Sequence, residues 1–175
     1  VAFRETVKRL ARALRESGAR YCVLGPLASG YYGIPRSVKE IEVLIFPSWV
    51  IIKQLVSKLR KSGFKLLDEV KQELDDFRME AEEGFRVKLR MARTQEDLST
   101  IKNGKSARFF GTAIRLAPPE ALIARALAEG GVKGVTDAIG ILVRCKGKLD
   151  EKYLRQSAES FGIWEDLNRL MKKLE

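Results

Sequence analysis

Residues 21 to 46 read YCVLGPLASGYYGIPRSVKEIEVLIF, and no other stretch restricts the fold as strongly. Tyr21 to Leu24 is short, apolar and β-prone, and Gly25 ends it, so it reads as a strand. Pro26 suits the first position of a helix, where a backbone N–H would go unused. The spacing predicts a short helix to about Tyr32, stopped by Gly33 and Pro35. Glu40 to Phe46 then alternates as a second strand. Glu40, Glu42 and Leu44 share one face, and Ile41, Val43 and Ile45 share the other. Two strands are thus joined by a glycine turn, one short helix and a loop carrying Arg36 and Ser37. The second strand opens with two carboxylates on one side.

Upstream, Phe3, Val7, Leu10, Ala11 and Leu14 fall on one helical face. Arg4, Lys8, Arg12 and Arg15 form a second stripe. It reads either as a solvated face, helped by Glu5 and Arg9 at i,i+4, or as a surface for phosphate backbone. Downstream, Ser48 is placed to cap a helix with Ile52, Leu55, Val56 and Leu59 on its core face. Phe64 to Leu67 reads as a short strand. A hairpin follows, turning at Glu82-Glu83-Gly84. Matching apolar faces sets Ala81 opposite Phe85, Met79 opposite Val87 and Phe77 opposite Leu89. The polar face then pairs Glu80 with Arg86 and Asp76 with Arg90. Arg78 falls opposite Lys88, a like-charge pair that calls for a nearby anion.

Gln95 to Lys102 reads as a short helix, and Phe109 to Leu116 as a last strand or pair of short strands. Beyond that the periodicity is helical throughout. One helix starts at Pro118-Pro119-Glu120, with Leu122, Ile123, Ala126 and Leu127 facing inward. The next, 133–145, is expected to bury Val135, Ile139 and Leu142. Asp150 caps a third. Trp164, Leu167, Leu170, Met171 and Leu174 give the last its core face. The expected organisation is an α/β part over 1–116 and a helical part over 117–175.

Composition narrows the chemistry. With 175 residues, 45% of them hydrophobic, the chain can bury a real core. No apolar run approaches the roughly 20 residues a membrane span needs, and the start of the chain is charged rather than signal-like. A cytoplasmic location, with no membrane partner, is the expectation. Cys22 and Cys145 lie far apart in apolar runs and read as buried free thiols. Histidine is absent, which removes Ser-His-Asp and Cys-His nucleophile systems and the usual zinc sites. Chemistry here must use carboxylates, lysines, hydroxyls or a hard cation. The net charge of +10 suits a polyanionic partner, and it equally suits a thermophile surface.

Two carboxylates at i,i+2 on a strand can bridge divalent cations that clamp phosphate oxygens. A glycine turn entering a helix presents N–H groups to phosphate. Together these features resemble the minimal branch of the nucleotidyltransferase superfamily, related to DNA polymerase beta, which includes antitoxins and abortive-infection-type toxins. Leu24-Gly25-Pro26, the loop Tyr31 to Ser37 and Glu40-Ile41-Glu42 match the signature in order. FRVKLRMA sits at the strand of the third acid. LAPPEALIARALAEGGVKGVTDAIGIL resembles the downstream helical segment, with Lys133 and Asp137 at its basic and acidic places. The resemblance implies an α+β fold, a mixed β-sheet flanked by helices and followed by a C-terminal helical segment. It implies NMP transfer from an NTP to a protein or RNA acceptor. Glu40 and Glu42 would hold Mg²⁺ or Mn²⁺, and Gly25, Pro26, Arg36 and Ser37 would contact phosphate.

Three positions depart from the pattern. Both aspartates are glutamates, which moves each carboxylate outward by about 1.5 Å. Pro26 replaces a serine that would offer a hydroxyl and an N–H. The third acid falls on Lys88, whose ammonium would repel a divalent cation. Lys88 is therefore expected either to stand in for the metal beside Glu40 or Glu42, or to belong to the wet face of the sheet with Arg86 and Arg90. Glu80 is the alternative third carboxylate, with Arg86 competing for it. Arg36 and Ser37 also suit plain turn formation after Pro35. Activity is expected to be weakened or lost, with no cofactor if lost. The alternative is a non-catalytic module that binds a helical protein partner or nucleic acid through its basic surface.

Overall fold

Alternation and register decide how the strands assemble, and the result places the acid pair at the centre. The computed structural model describes residues 2–68 and 74–175. In chain order it contains α1 (Ala2–Glu16), β1 (Tyr21–Leu24), α2 (Gly25–Tyr32), β2 (Glu40–Ile45), α3 (Trp49–Lys61), β3 (Lys65–Leu66), β4 (Phe77–Glu80) and β5 (Arg86–Met91). There follow α4 (Gln95–Lys102), β6 (Lys105–Phe109), β7 (Thr112–Leu116), α5 (Pro119–Glu129), α6 (Gly131–Arg144), α7 (Glu151–Ser160) and α8 (Trp164–Lys173).

Among the described residues the strands form one mixed sheet in the order β3-β4-β5-β2-β1-β7-β6. The central strand β2 runs antiparallel to β1, with Leu24 in register with Glu42, and parallel to β5, with Glu42 in register with Lys88. Antiparallel pairing means that β1 ends where β2 begins. The glycine turn after Leu24 and the two glutamates therefore meet at one edge of the sheet. The hairpin has the expected register, with Phe77 opposite Leu89, Met79 opposite Val87 and Arg78 opposite Lys88.

The core collects what the patterns offered. Ile41, Val43 and Ile45 are fully buried, in one cluster with Val7, Leu10 and Leu14 of α1 and Ile52, Leu55 and Leu59 of α3. Cys22 and Cys145 are buried and unbridged. Burial pushes the Cys22 thiol up to about 12, so it behaves as a small apolar side chain.

Several local expectations are corrected. The last strands form a hairpin that starts at Lys105 rather than Phe109 and turns at Phe110 and Gly111, both at positive φ. Helix α6 packs on α5 through Gly134, Ala138, Ile141 and Leu142; Val135 is 38% exposed and Ile139 only half-buried. A Cβ on Gly134 would collide with the Ala126 carbonyl of α5, so the close approach at Gly134 turns the adjacent Val135 outward. Leu174, expected on the core face of α8, is exposed. Ser48 occupies the cap position of α3 without a side-chain hydrogen bond. The guanidinium of Arg9 reaches Glu83 and the Ser62 carbonyl; only its Nε donates to Glu5, and to the backbone carbonyl.

Candidate functional site

Leu24 ends its strand beside Glu42, and the chain must turn there into α2. Gly25 does so at φ +68°, a region that a side chain disfavours. A Cβ at this position would lie 3.2 Å from the Glu42 carboxylate. Glycine is thus required twice, by the turn and by the carboxylate above it. Above this edge lies a cavity of about 620 Å³. Gly25, Pro26, Arg36, Ser37, Glu40 and Glu42 line one side. Arg125, Lys133 and Asp137, on α5 and α6, line the other. The structure therefore brings together the residues singled out around the glycine turn and the acid pair.

Lys88 and Glu80 are not among the residues lining that cavity. Of the two expectations for Lys88, the metal stand-in is not met, since it forms no ion pair among the described residues; it lies half-buried on the polar face of the sheet with Arg86 and Arg90. Arginines take the two carboxylates instead. Arg78 donates from Nε to Glu40 at 3.0 Å, and Arg90 donates from Nη1 to Glu42 at 2.5 Å. Lys88 sits directly beside Glu42 across the parallel β2–β5 pair, yet the planar guanidinium, which matches a carboxylate in shape, takes the acid. Arg90 lies two residues along β5, and its forked head spans the diagonal. Arg78, on β4, reaches over β5 to Glu40, so Glu40 is the anion that its place opposite Lys88 calls for. Glu80 pairs with Arg86 at 3.4 Å, two strands away from Glu40, and does not join the acid pair. Asp76, expected opposite Arg90, accepts from Arg93 at 2.7 Å.

The loop after α2 is held against the helical part. Gly33 passes so close to α6 that a Cβ would meet the Ile141 nitrogen at 3.0 Å, and Arg144 donates to the Gly33 carbonyl at 2.6 Å. This docking carries Arg36 to Asp137, where Nη2 and the carboxylate are 2.8 Å apart. The Arg36 Nε is buried without an acceptor among the described residues. Ser37 lines the cavity beside it.

Arg78, Arg90 and Arg125 escaped the sequence reading as site residues. The polar face of the hairpin was visible; the parallel pairing that lays it against the glutamates was not. Burial alone would lower the Arg90 pKa, but the hydrogen bond and charge of Glu42 outweigh it and hold the guanidinium above its ordinary value.

These residues do not fit a divalent cation. Magnesium needs anionic oxygens in near-octahedral array. One oxygen of each glutamate already accepts from a guanidinium, Glu40 Oε2 from Arg78 and Glu42 Oε1 from Arg90, and the third-acid position carries an ammonium. Among the described residues no group of three or more Cys, Asp or Glu side chains is arranged to hold a metal ion. The cavity wall sets Arg36, Lys39, Arg90, Arg125 and Lys133 against Glu40, Glu42, Glu129 and Asp137, and of these cations Lys39 and Lys133 form no ion pair among the described residues.

No family model matches the sequence, and no curated protein matches it. Solved structures do. The solution structure of the antibiotic-resistance factor ANT(2'')-Ia aligns with a TM-score of 0.62 at 12% identity, over 97% of this chain and 96% of that one. An antigenic nucleotidyltransferase-like protein from Paracoccidioides brasiliensis aligns at 0.57 and 20% identity, over 97% and 92%. The lincosamide antibiotic adenylyltransferase LnuA, with lincomycin bound, aligns at 0.51 and 10% identity, over 73% and 89%. The chain has the nucleotidyltransferase fold, an α+β mixed sheet flanked by helices. No helix among the described residues is long and apolar enough to cross a membrane.

Proposed function

We propose that this chain is a nucleotidyltransferase-superfamily protein whose cleft takes a nucleoside triphosphate, with NMP transfer to an acceptor weakened or lost. One observation carries the reading. The 620 Å³ cavity has the size of a small-ligand site and holds two lysines, Lys39 and Lys133, that form no ion pair among the described residues, while both acids of the ancestral metal pair are engaged by arginine. Arg36, Ser37, Lys39 and Lys133 are the side chains that would meet the phosphates. Pro26, at the start of α2, offers them no N–H. Positioning and charge neutralisation dominate phosphoryl chemistry, so a cleft with cations but without free acids retains binding before it retains rate. In the transfer reading Mg²⁺ or Mn²⁺ is the cofactor, and a protein or RNA is the acceptor. ANT(2'')-Ia has been solved with adenylyl-2''-tobramycin and LnuA with lincomycin, so unmodified tobramycin and lincomycin belong among the acceptors tried.

The test is calorimetric binding of ATP, GTP, CTP and UTP, beside an assay of labelled NMP transfer. Binding should weaken in Arg36→Ala and Lys133→Ala, and transfer should be absent or far below the ordinary turnover of such enzymes. Robust transfer abolished by Glu40→Ala/Glu42→Ala would establish the active enzyme instead. A second reading is a non-catalytic module that grips a partner protein or nucleic acid. It is supported by the +10 charge and by the α1 stripe, where Lys8 and Arg15 make no ion pair among the described residues. Binding of labelled RNA or DNA that weakens steeply with salt, together with no nucleotide binding, would favour it.

A further inference from the structure

We propose that Arg90, which lines this cleft, and Arg78, which reaches Glu40 from outside its lining, act as resident cations that each neutralise one glutamate of the pair a divalent metal would need, so that anions bind here without metal. Only the part about anions rests on the phosphate-site reading above; the part about metal stands on the geometry of the sheet.

The strand register lays out one polar face. On it Arg78 and Glu80 of β4 and Arg86, Lys88 and Arg90 of β5 adjoin Glu40 and Glu42 of β2. Glu40 holds Arg78, Glu42 holds Arg90 and Glu80 holds Arg86, leaving Lys88 as the surplus cation. The patch is therefore neutralised and slightly positive before any ligand arrives. A divalent ion at Glu40 and Glu42 would have to expel two guanidinium groups and sit beside the Lys88 ammonium. Those guanidiniums are tethered, permanently charged and matched to carboxylates in shape. The neighbouring acids Glu80 and Asp76 are themselves engaged, by Arg86 and Arg93. Glu42 is further confined by Gly25, against which its carboxylate packs. In the same cavity Lys39 and Lys133 form no ion pair among the described residues and stand available to an anionic ligand.

The experiment is Mn²⁺ titration of the whole chain, followed by electron paramagnetic resonance, which counts free and bound ion without any nucleotide. Wild type should bind no Mn²⁺ that Glu40→Gln/Glu42→Gln removes. Lys88→Asp alone, which supplies a third carboxylate but leaves both guanidiniums in place, should still bind none. Arg78→Met/Lys88→Asp/Arg90→Met should bind Mn²⁺ at least about tenfold more tightly than the detection limit that Lys88→Asp fails to reach. Melting curves establish that each variant is folded. Should the triple variant not fold, ATP calorimetry on wild type decides: affinity in EDTA and in Mg²⁺ should agree within about threefold. Wild-type Mn²⁺ binding lost in the glutamine pair would overturn the proposal. So would a Lys88→Asp variant that binds as tightly as the triple variant, or ATP binding that needs Mg²⁺. Failure of wild type to bind ATP at all removes the phosphate-site reading, and the Mn²⁺ titration still decides the matter of metal.

Discussion

Asp97 and Glu42 each meet an arginine at short range, yet the two carboxylates are held in opposite ways. Asp97 lies in the first turn of α4 and accepts from the Arg93 and Thr94 backbone N–H groups and from Arg125, at 2.8, 3.2 and 2.9 Å. Thr94 answers by accepting from the Asp97 N–H, which closes a capping box. Arg125 adds a bond to Thr100 and lies over the Phe161 ring. Glu42 has Arg90 and the bare backbone of Gly25. The Asp97–Arg125 pair is 14% and 12% exposed, the Glu42–Arg90 pair 19% and 35%. A carboxylate offers about four acceptor positions. Most of Asp97's are used, whereas Glu42 keeps capacity that faces the cavity. One pair is an anchor, and the other leaves acceptor capacity open to the cavity. The two regions touch through Arg125, which lines the cavity while its Nε lacks an acceptor among the described residues.

The largest expected effect tests the anchor. Asp97→Ala strands a buried guanidinium and opens the cap of α4, so it should cost about 3 kcal/mol or more in denaturant unfolding. Arg90→Leu should cost about 1 kcal/mol or less, because its pair is partly screened by water. Equal losses would erase the distinction between the two pairs. Gly25→Ala should fall between them, at about 1–3 kcal/mol, since it combines a left-handed backbone with a close approach to the Glu42 carboxylate. Its loss should shrink in the Glu42→Gly background if the carboxylate, rather than φ, is the main obstacle. A double-mutant cycle of Glu42→Gln and Arg90→Leu, read by unfolding, should return a coupling below about 1 kcal/mol.

The sequence carried the fold in two periodicities. Strict alternation in Phe77–Glu80 and Arg86–Met91 fixed the hairpin register, and the order strand, glycine turn, helix, acid-bearing strand located the site. Side-chain partners were less legible. An alternating strand says which residues share a face but not which strand will lie beside it. The parallel β2–β5 pairing joins segments some forty residues apart, and the pairing of β1 with β7 joins segments over ninety apart. Lys88 sits at the position where the pattern asks for a third acid, and it is in register with Glu42. The competition among four cations of differing length for three glutamates is settled by diagonals that depend on strand pairing and side-chain reach. For α6, Val135 looked like a core residue by hydrophobicity, but Gly134 and Ala138 allow the nearer approach to α5.

The smallest effect expected distinguishes the anchor by pH. Burial would raise the Asp97 pKa, but the Arg93 N–H, the Arg125 guanidinium and the Thr94 N–H outweigh it and hold the carboxyl below its ordinary value. The sign follows from linkage. A carboxyl depressed in the folded state contributes stability that is complete above its unfolded pKa and is lost as pH falls through the folded one. Melting temperature should therefore decline as pH drops from about 5 towards 2, and part of that slope should belong to Asp97. Asp97→Asn lowers the starting stability, since an amide cannot replace the charge facing Arg125, but it should flatten the acid slope. Parallel curves for wild type and Asp97→Asn would show that the capping box and Arg125 do not favour the ionised form. Asp97 would then lose the one property that separates a saturated carboxylate from one with acceptor capacity still open.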